Sequence, residues 1–181
     1  STKYVAEWLA DPRIEKQDYV LPDPDAPDGG FKSYNEFFSR PLKDQQESRP
    51  QTLPERDYII TAPTDALMNS IPVKITDSKT LIGTKGTQQL NIEQLLEGSA
   101  YWERFVGGTA LSCILMPNTY HRYHSPVDGE VIEAKIIRGA LIGMEDFPTF
   151  VPKDGNVGYY GSDFGAFQNY QRGYFIIDTG K

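Results

Sequence analysis

The residues from Ala110 to Ile137 leave this chain little choice of fold. Ala110-Leu111-Ser112-Cys113-Ile114-Leu115-Met116 is a short, nearly unbroken apolar run between Gly107-Gly108 and Pro117. Its length and its boundaries predict a buried strand and not a helix. From Gly129 to Ile137, Ile132, Ala134 and Ile136 alternate with Glu133 and Lys135, as in a half-buried strand. Pro126-Val127-Asp128-Gly129 reads as a turn into that second strand. Between the strands lies an irregular segment fixed by Pro117 and Pro126, and it holds both histidines of the protein, His121 and His124.

The flanking sequence adds short helices and more strands. Val5, Trp8 and Leu9 share one helical face within residues 1–10, which Asp11-Pro12 closes. Pro12, Pro22, Pro24 and Pro27, followed by Gly29-Gly30, make residues 11–30 an extended strap. Ser33 and Glu36 have capping-box spacing, with Tyr34, Phe37 and Phe38 as one apolar stripe. Residues 58–61 predict a strand and Pro63-Thr64-Asp65-Ala66 a turn. Residues 67–75 predict another strand, which Pro72 confines to an edge or a bulge. Asn91 and Gln94 cap a short helix with Ile92, Leu95 and Leu96 inward. Residues 99–105 read as a further helix and residues 173–179 as a last strand. The class this predicts is α+β: a mainly antiparallel β-sheet core with short N-terminal and inserted helices. Residues 1–56 form a helical and extended strap packed on the core, and residues 57–181 a β-rich core acting as a single functional domain.

Charge narrows the function classes. Eighteen basic and 25 acidic residues give a formal net charge of -7. That disfavours nucleic acid as a partner and supplies no general attraction to an anionic membrane. The single cysteine, Cys113, permits no internal disulfide and suits a reducing compartment. Its place in the apolar run predicts a small buried hydrophobe. No signal peptide and no apolar segment of about 18 residues is present. The chain opens on Ser1 without Met, so upstream sequence is expected.

Three readings of the histidine pair compete. Two structural histidines with satisfied rings are common. A metal could be shared by His-x-x-His, but zinc wants three or four ligands, and carboxylates would have to complete the set. Acid–base catalysis would use two rings for different proton transfers, since histidine changes charge near neutral pH.

Tyr120-His121-Arg122-Tyr123-His124-Ser125-Pro126-Val127-Asp128-Gly129 resembles the Tyr-His-Arg-x-His-x-Pro-x-x-Gly signature of phosphatidylserine decarboxylases and their pyruvoyl-dependent relatives. Phe37-Phe38-Ser39-Arg40-Pro41-Leu42 with Arg49-Pro50, the segment from Lys85-Gly86, and Asn169 with Arg172 resemble further family elements. Pro63-Thr64-Asp65-Ala66 matches in part the family's Pro-Ala-Asp-Gly turn. Arg40 and Arg49 are expected to have structural partners and carry no chemistry.

The resemblance implies a decarboxylase that takes its electron sink from its own backbone. A serine downstream of the last strand attacks the preceding carbonyl, the chain splits, and the new N-terminus becomes a pyruvoyl group, which forms a Schiff base with the substrate amine. This chain would be the larger N-terminal product, partnered by a small C-terminal α chain carrying the pyruvoyl. Gly98-Ser99 and Gly161-Ser162 precede elements that the family keeps intact, so neither is a cleavage site. By position, the resemblance makes His124 the base for self-cleavage, Asp65 its orienter and His121 the proton handler of decarboxylation, with no metal. The implied reaction turns phosphatidylserine into phosphatidylethanolamine. A soluble relative acting on a free amino acid, such as tryptophan, is the first alternative. A non-catalytic carrier-like domain is the second; residues 126–140 resemble a lipoyl hairpin, but no lysine lies at its tip. The expected setting is cytoplasmic, as a homo-oligomer of the processed pair, with peripheral membrane contact left open. The long loop 144–169, with Phe147, Phe150, Tyr159, Tyr160, Phe164 and Phe167, would wall a pocket or dock on acyl chains.

Overall fold

The computed structural model describes residues 2–68, 72–83, 89–115, 118–139 and 171–181. The loop 144–169, Lys85-Gly86, Met116-Pro117 and Asn169 lie outside the described residues. The chain divides into two compact units, Ser1–Ala66 with Leu115–Gly129, and Leu67–Ile114 with Glu130–Lys181.

The first unit is built from short helices and shaped loops. Helix α1, Thr2–Leu9, buries Val5, Trp8 and Leu9, the face their spacing prescribes. The strap that follows carries a 3-10 turn at Lys16–Asp18 and then buries Tyr19, which bridges to Leu42. At Gly30, φ is +74° and an added Cβ would lie 2.7 Å from the Asp23 nitrogen, so only glycine fits. Helix α2, Tyr34–Phe38, buries Phe37 against Phe31, ring centroids 5.9 Å apart. Its cap differs slightly from the expected box. Ser33 accepts from the Glu36 nitrogen, but the Glu36 carboxylate accepts from Lys32, one residue further out. A second turn, α3, spans Gln45–Ser48 and is capped by Asp44, which accepts from the Glu47 nitrogen. Residues 58–61 are not a strand. Tyr58 and Ile60 are exposed, and the chain is held there by Thr61, whose nitrogen and hydroxyl both donate to the Pro126 carbonyl.

Apart from the Tyr19–Leu42 bridge, the second unit carries the antiparallel pairings among the described residues. Strand β1 is Leu67–Met68, β2 Val73–Lys74, β3 Ile82–Gly83 and β4 Gln89–Leu90. Helix α4, Ile92–Leu95, has the reciprocal Asn91–Gln94 capping box that the sequence predicts. Strands β5, Thr109–Ala110, and β6, Cys113–Ile114, are followed by the long pair β7, Glu130–Ile137, and β8, Arg172–Asp178. The pairs are β1–β6, β2–β5, β3–β4 and β7–β8. The apolar run is therefore not one strand over its described residues, because Ala110 pairs with β2 and Cys113–Ile114 with β1. Cys113 is exposed, not buried. Residues 102–105 form a 3-10 turn in place of a longer helix.

The core of this unit is Ile75, Ile82, Ile92, Leu96 and Ile176, with Trp102, Phe105 and Ile132 packed against it. The alternation along β7 slips at an irregularity between Val131 and Glu133. Ile137 is buried and Ile136 exposed as a result. An extra residue in one strand moves every later side chain to the other face. Few short helices beside short antiparallel pairings are compatible with an α+β class.

Candidate active site

The histidine segment owes its shape to Arg40. This side chain is fully buried, with its guanidinium 4.3 Å from the centroid of Tyr19 and 4.6 Å from that of Phe37. It donates to the carbonyls of Phe37 at 3.2 Å, and of Asn118 and Thr119 at 2.9 Å each. Irregular backbone cannot pair its own carbonyls, and a planar fork of donors satisfies several at once. Burial pulls Arg40 below its ordinary basicity, opposed by Tyr19. Thr64 Oγ1 donates to the Tyr120 carbonyl at 2.5 Å, and the His124 nitrogen to the Pro63 carbonyl at 2.8 Å. Arg122 Nε donates to the Ser39 carbonyl at 2.9 Å. The turn bearing Asp65 thus lies along the segment bearing the histidines, and both belong to the first unit.

The two rings sit in different surroundings. His121 packs on Phe38 of α2, ring centroids 3.6 Å apart and tilted by 36°. His124 stacks on buried Tyr120, with centroids 5.6 Å apart. Its Nε2 lies 3.1 Å from the Tyr120 hydroxyl and its Nδ1 3.2 Å from Gln45 Nε2. With the Gln45 amide nitrogen as donor, Nδ1 accepts, and the ring proton falls on Nε2, which donates to the Tyr120 oxygen. Burial pushes the Tyr120 phenol above its usual range, so it stays neutral at physiological pH.

Asp65 is gripped by Arg49. Nε and Nη2 donate to its two carboxylate oxygens at 2.9 and 2.8 Å, a bidentate pair. Arg49 Nη1 also reaches Asp18 at 3.1 Å and the Ser48 carbonyl at 2.7 Å. The hydrogen bond to Asp65 raises the Arg49 guanidinium above its ordinary value. Both nitrogens of His124 and both oxygens of Asp65 are therefore engaged. A direct Asp65–His124 bond requires one of these contacts to open.

Asp65 and His124 line one cavity of about 560 Å³, with Gln45, Arg49, Tyr120 and Asp128 among its walls. His121 is not among the lining residues. The structure thus brings Asp65 and His124 to a shared space and sets His121 against α2. The arginines expected to be structural are so, though Arg49 acts on Asp65 itself. Gln45 and Tyr120 were not singled out from sequence. Tyr120 had a signal, an aromatic four residues before His124 in the same pinned segment; Gln45 had none.

The phosphatidylserine decarboxylase family profile matches residues 34–181. The chain belongs to the phosphatidylserine decarboxylase family. It is 39% identical over 118 residues to phosphatidylserine decarboxylase proenzyme 3 of Schizosaccharomyces pombe, covering 65% of this chain and 12% of that protein. It is 34% identical over 142 residues to decarboxylase iboD of Amanita muscaria, covering 77% and 39%. With the phosphatidylserine decarboxylase proenzyme of Clostridium novyi the identity is 32% over 144 residues, covering 80% and 45%. The chain spans less than half the length of each of these relatives.

Proposed function

We propose that this chain is the larger part of a pyruvoyl-dependent carboxy-lyase that converts phosphatidylserine to phosphatidylethanolamine after autocatalytic cleavage of a proenzyme. The observation that carries this reading is the cavity shared by Asp65 and His124 in a chain of this family. The relatives named as proenzymes support a processed pair of chains, the smaller bearing the pyruvoyl.

The residues present suit such a group. The cavity walls offer an imidazole, a carboxylate and a neutral phenol for proton handling. None of the lining residues is a lysine, whose amine would compete for a reactive carbonyl. When bound, the pyruvoyl carbonyl supplies the electron sink that ordinary side chains lack. His124, through a ring nitrogen, takes the proton from the attacking serine hydroxyl of the precursor. Asp65 supplies negative charge beside it, its direction set by Arg49. His121, backed by Phe38, returns a proton where CO2 leaves.

The finer architecture belongs to the same proposal. Residues 57–181 act as one mainly antiparallel core, completed by the second chain, with residues 1–56 strapped on it. The processed pair assembles as a homo-oligomer in the cytoplasm and meets its lipid at the membrane surface. Among the described residues no helix is long and apolar enough to cross a membrane.

The test is direct. In the full-length precursor, His124→Ala should remain one band on a denaturing gel, and Asp65→Ala should slow cleavage or stop it. Splitting of His124→Ala at the normal rate would remove the assignment. CO2 release from phosphatidylserine in detergent micelles, set against free tryptophan, phenylalanine, tyrosine and serine, decides the substrate. Turnover of a free amino acid alone would move the activity to a soluble substrate.

A further inference from the structure

One turn of helix reaches both ends of the proposed processing pair. Gln45 is the first residue of α3 and Arg49 is its C-cap. Gln45 meets His124 Nδ1 at 3.2 Å, and four residues on Arg49 holds both oxygens of Asp65. Residues at i and i+4 project from the same face of a helical turn. The Asp44 cap and the Arg49 contact with Asp18 anchor that turn at its two ends.

We propose that the turn Gln45–Arg49 is a positioning device, in which Gln45 sets the tautomer and direction of the His124 ring and Arg49 sets the Asp65 carboxylate. This rests on the reading that His124 and Asp65 act in self-cleavage. Gln45 donates to the Nδ1 lone pair, while Tyr120 receives the Nε2 proton. An incoming hydroxyl can then replace the amide as donor without the ring turning. Arg49, bonded to both oxygens, holds the Asp65 carboxylate in a fixed plane. Among the described residues, the titratable and charged groups lining the cavity with the ring are Tyr120, Asp65, Arg49 and Asp128, with Asp18 behind Arg49 and Arg122 acting on Tyr120.

The experiment uses the full-length precursor and the matured enzyme. Gln45→Glu places a carboxylate where the amide donates, which favours the imidazolium. The His124 titration midpoint, followed by NMR and assigned through His124→Ala, should rise by about one pH unit. The acid limb of the cleavage-rate profile should move with it. Gln46→Glu, which puts the same charge on the same turn at an exposed neighbour, should shift neither. If Gln45→Glu behaves as Gln46→Glu does, Gln45 has no positioning role. Arg49→Lys keeps the charge but loses the fork, and should cleave at least about tenfold more slowly. Free guanidinium should restore part of the Arg49→Ala rate, where equal sodium chloride does not. A normal Arg49→Lys rate without rescue overturns the Arg49 half. A His124→Ala precursor that still splits would overturn the underlying reading instead, while the NMR midpoint still judges the Gln45 contact.

Discussion

Arg40 and His121 give two predictions at the scale of single residues. Arg40 fills a buried slot between two aromatic rings and satisfies three carbonyls. Arg40→Ala takes the side-chain donor from the Asn118 and Thr119 carbonyls, while the Phe37 carbonyl keeps the backbone N–H of residue 40, a loss of roughly 3 kcal/mol. Arg40→Lys restores only part of it, because a single ammonium cannot reproduce the fork. Urea unfolding midpoints of the two variants measure the difference. His121→Ala should mature normally and still lose about 10²–10⁴-fold in CO2 release, the usual range for an acid–base group. A loss under about threefold would take His121 out of the mechanism.

Elements differ in how far sequence discloses them. Helices α2 and α4 were readable because their signals are local: Ser33 and Asn91 each cap within three residues. Ser33→Ala should therefore cost about 1 kcal/mol of stability, read from the thermal midpoint. The strands were harder, since β5 and β6 look like one apolar run until β2 and β1 claim separate halves. Pairing partners lie outside any local window. The site divides in the same way. The family signature named His121, His124 and Asp65, of which Asp65 and His124 line one cavity, while Arg49 was named only as a structural arginine. Gln45 is 79 positions from His124, and nothing near it in sequence marks the contact. Strand β8 offers a parity test. Ile176 is buried in the core cluster, whereas Phe175 is 73% exposed. Ile176→Ala should destabilise by about 2–4 kcal/mol and Phe175→Ala by well under half of that. Equal losses would mean that the described face of β8 is wrong.

For the whole molecule, three phenols, two buried and one half-buried, set an alkaline limit. Burial raises Tyr19, Tyr34 and Tyr120 above the ordinary tyrosine value, Tyr34 most. In the unfolded chain tyrosines lose their protons near pH 10. Between that pH and the raised values, the folded state holds more protons than the unfolded state, so stability falls as pH rises. The thermal midpoint should be flat from neutral pH to about 9 and then fall, and Tyr34→Phe should flatten the fall. Arg40 has a further consequence, which concerns timing. Its bonds to Asn118 and Thr119 close loops of 78 and 79 positions. Long closures come late in folding, after local turns have formed. The backbone that aims His121 and His124 therefore settles only once a distant arginine has been threaded between two rings. Under the proposed self-cleavage, a chain still emerging or half collapsed would not yet cut itself, and the appearance of the cut product would serve as a clock for the completion of folding.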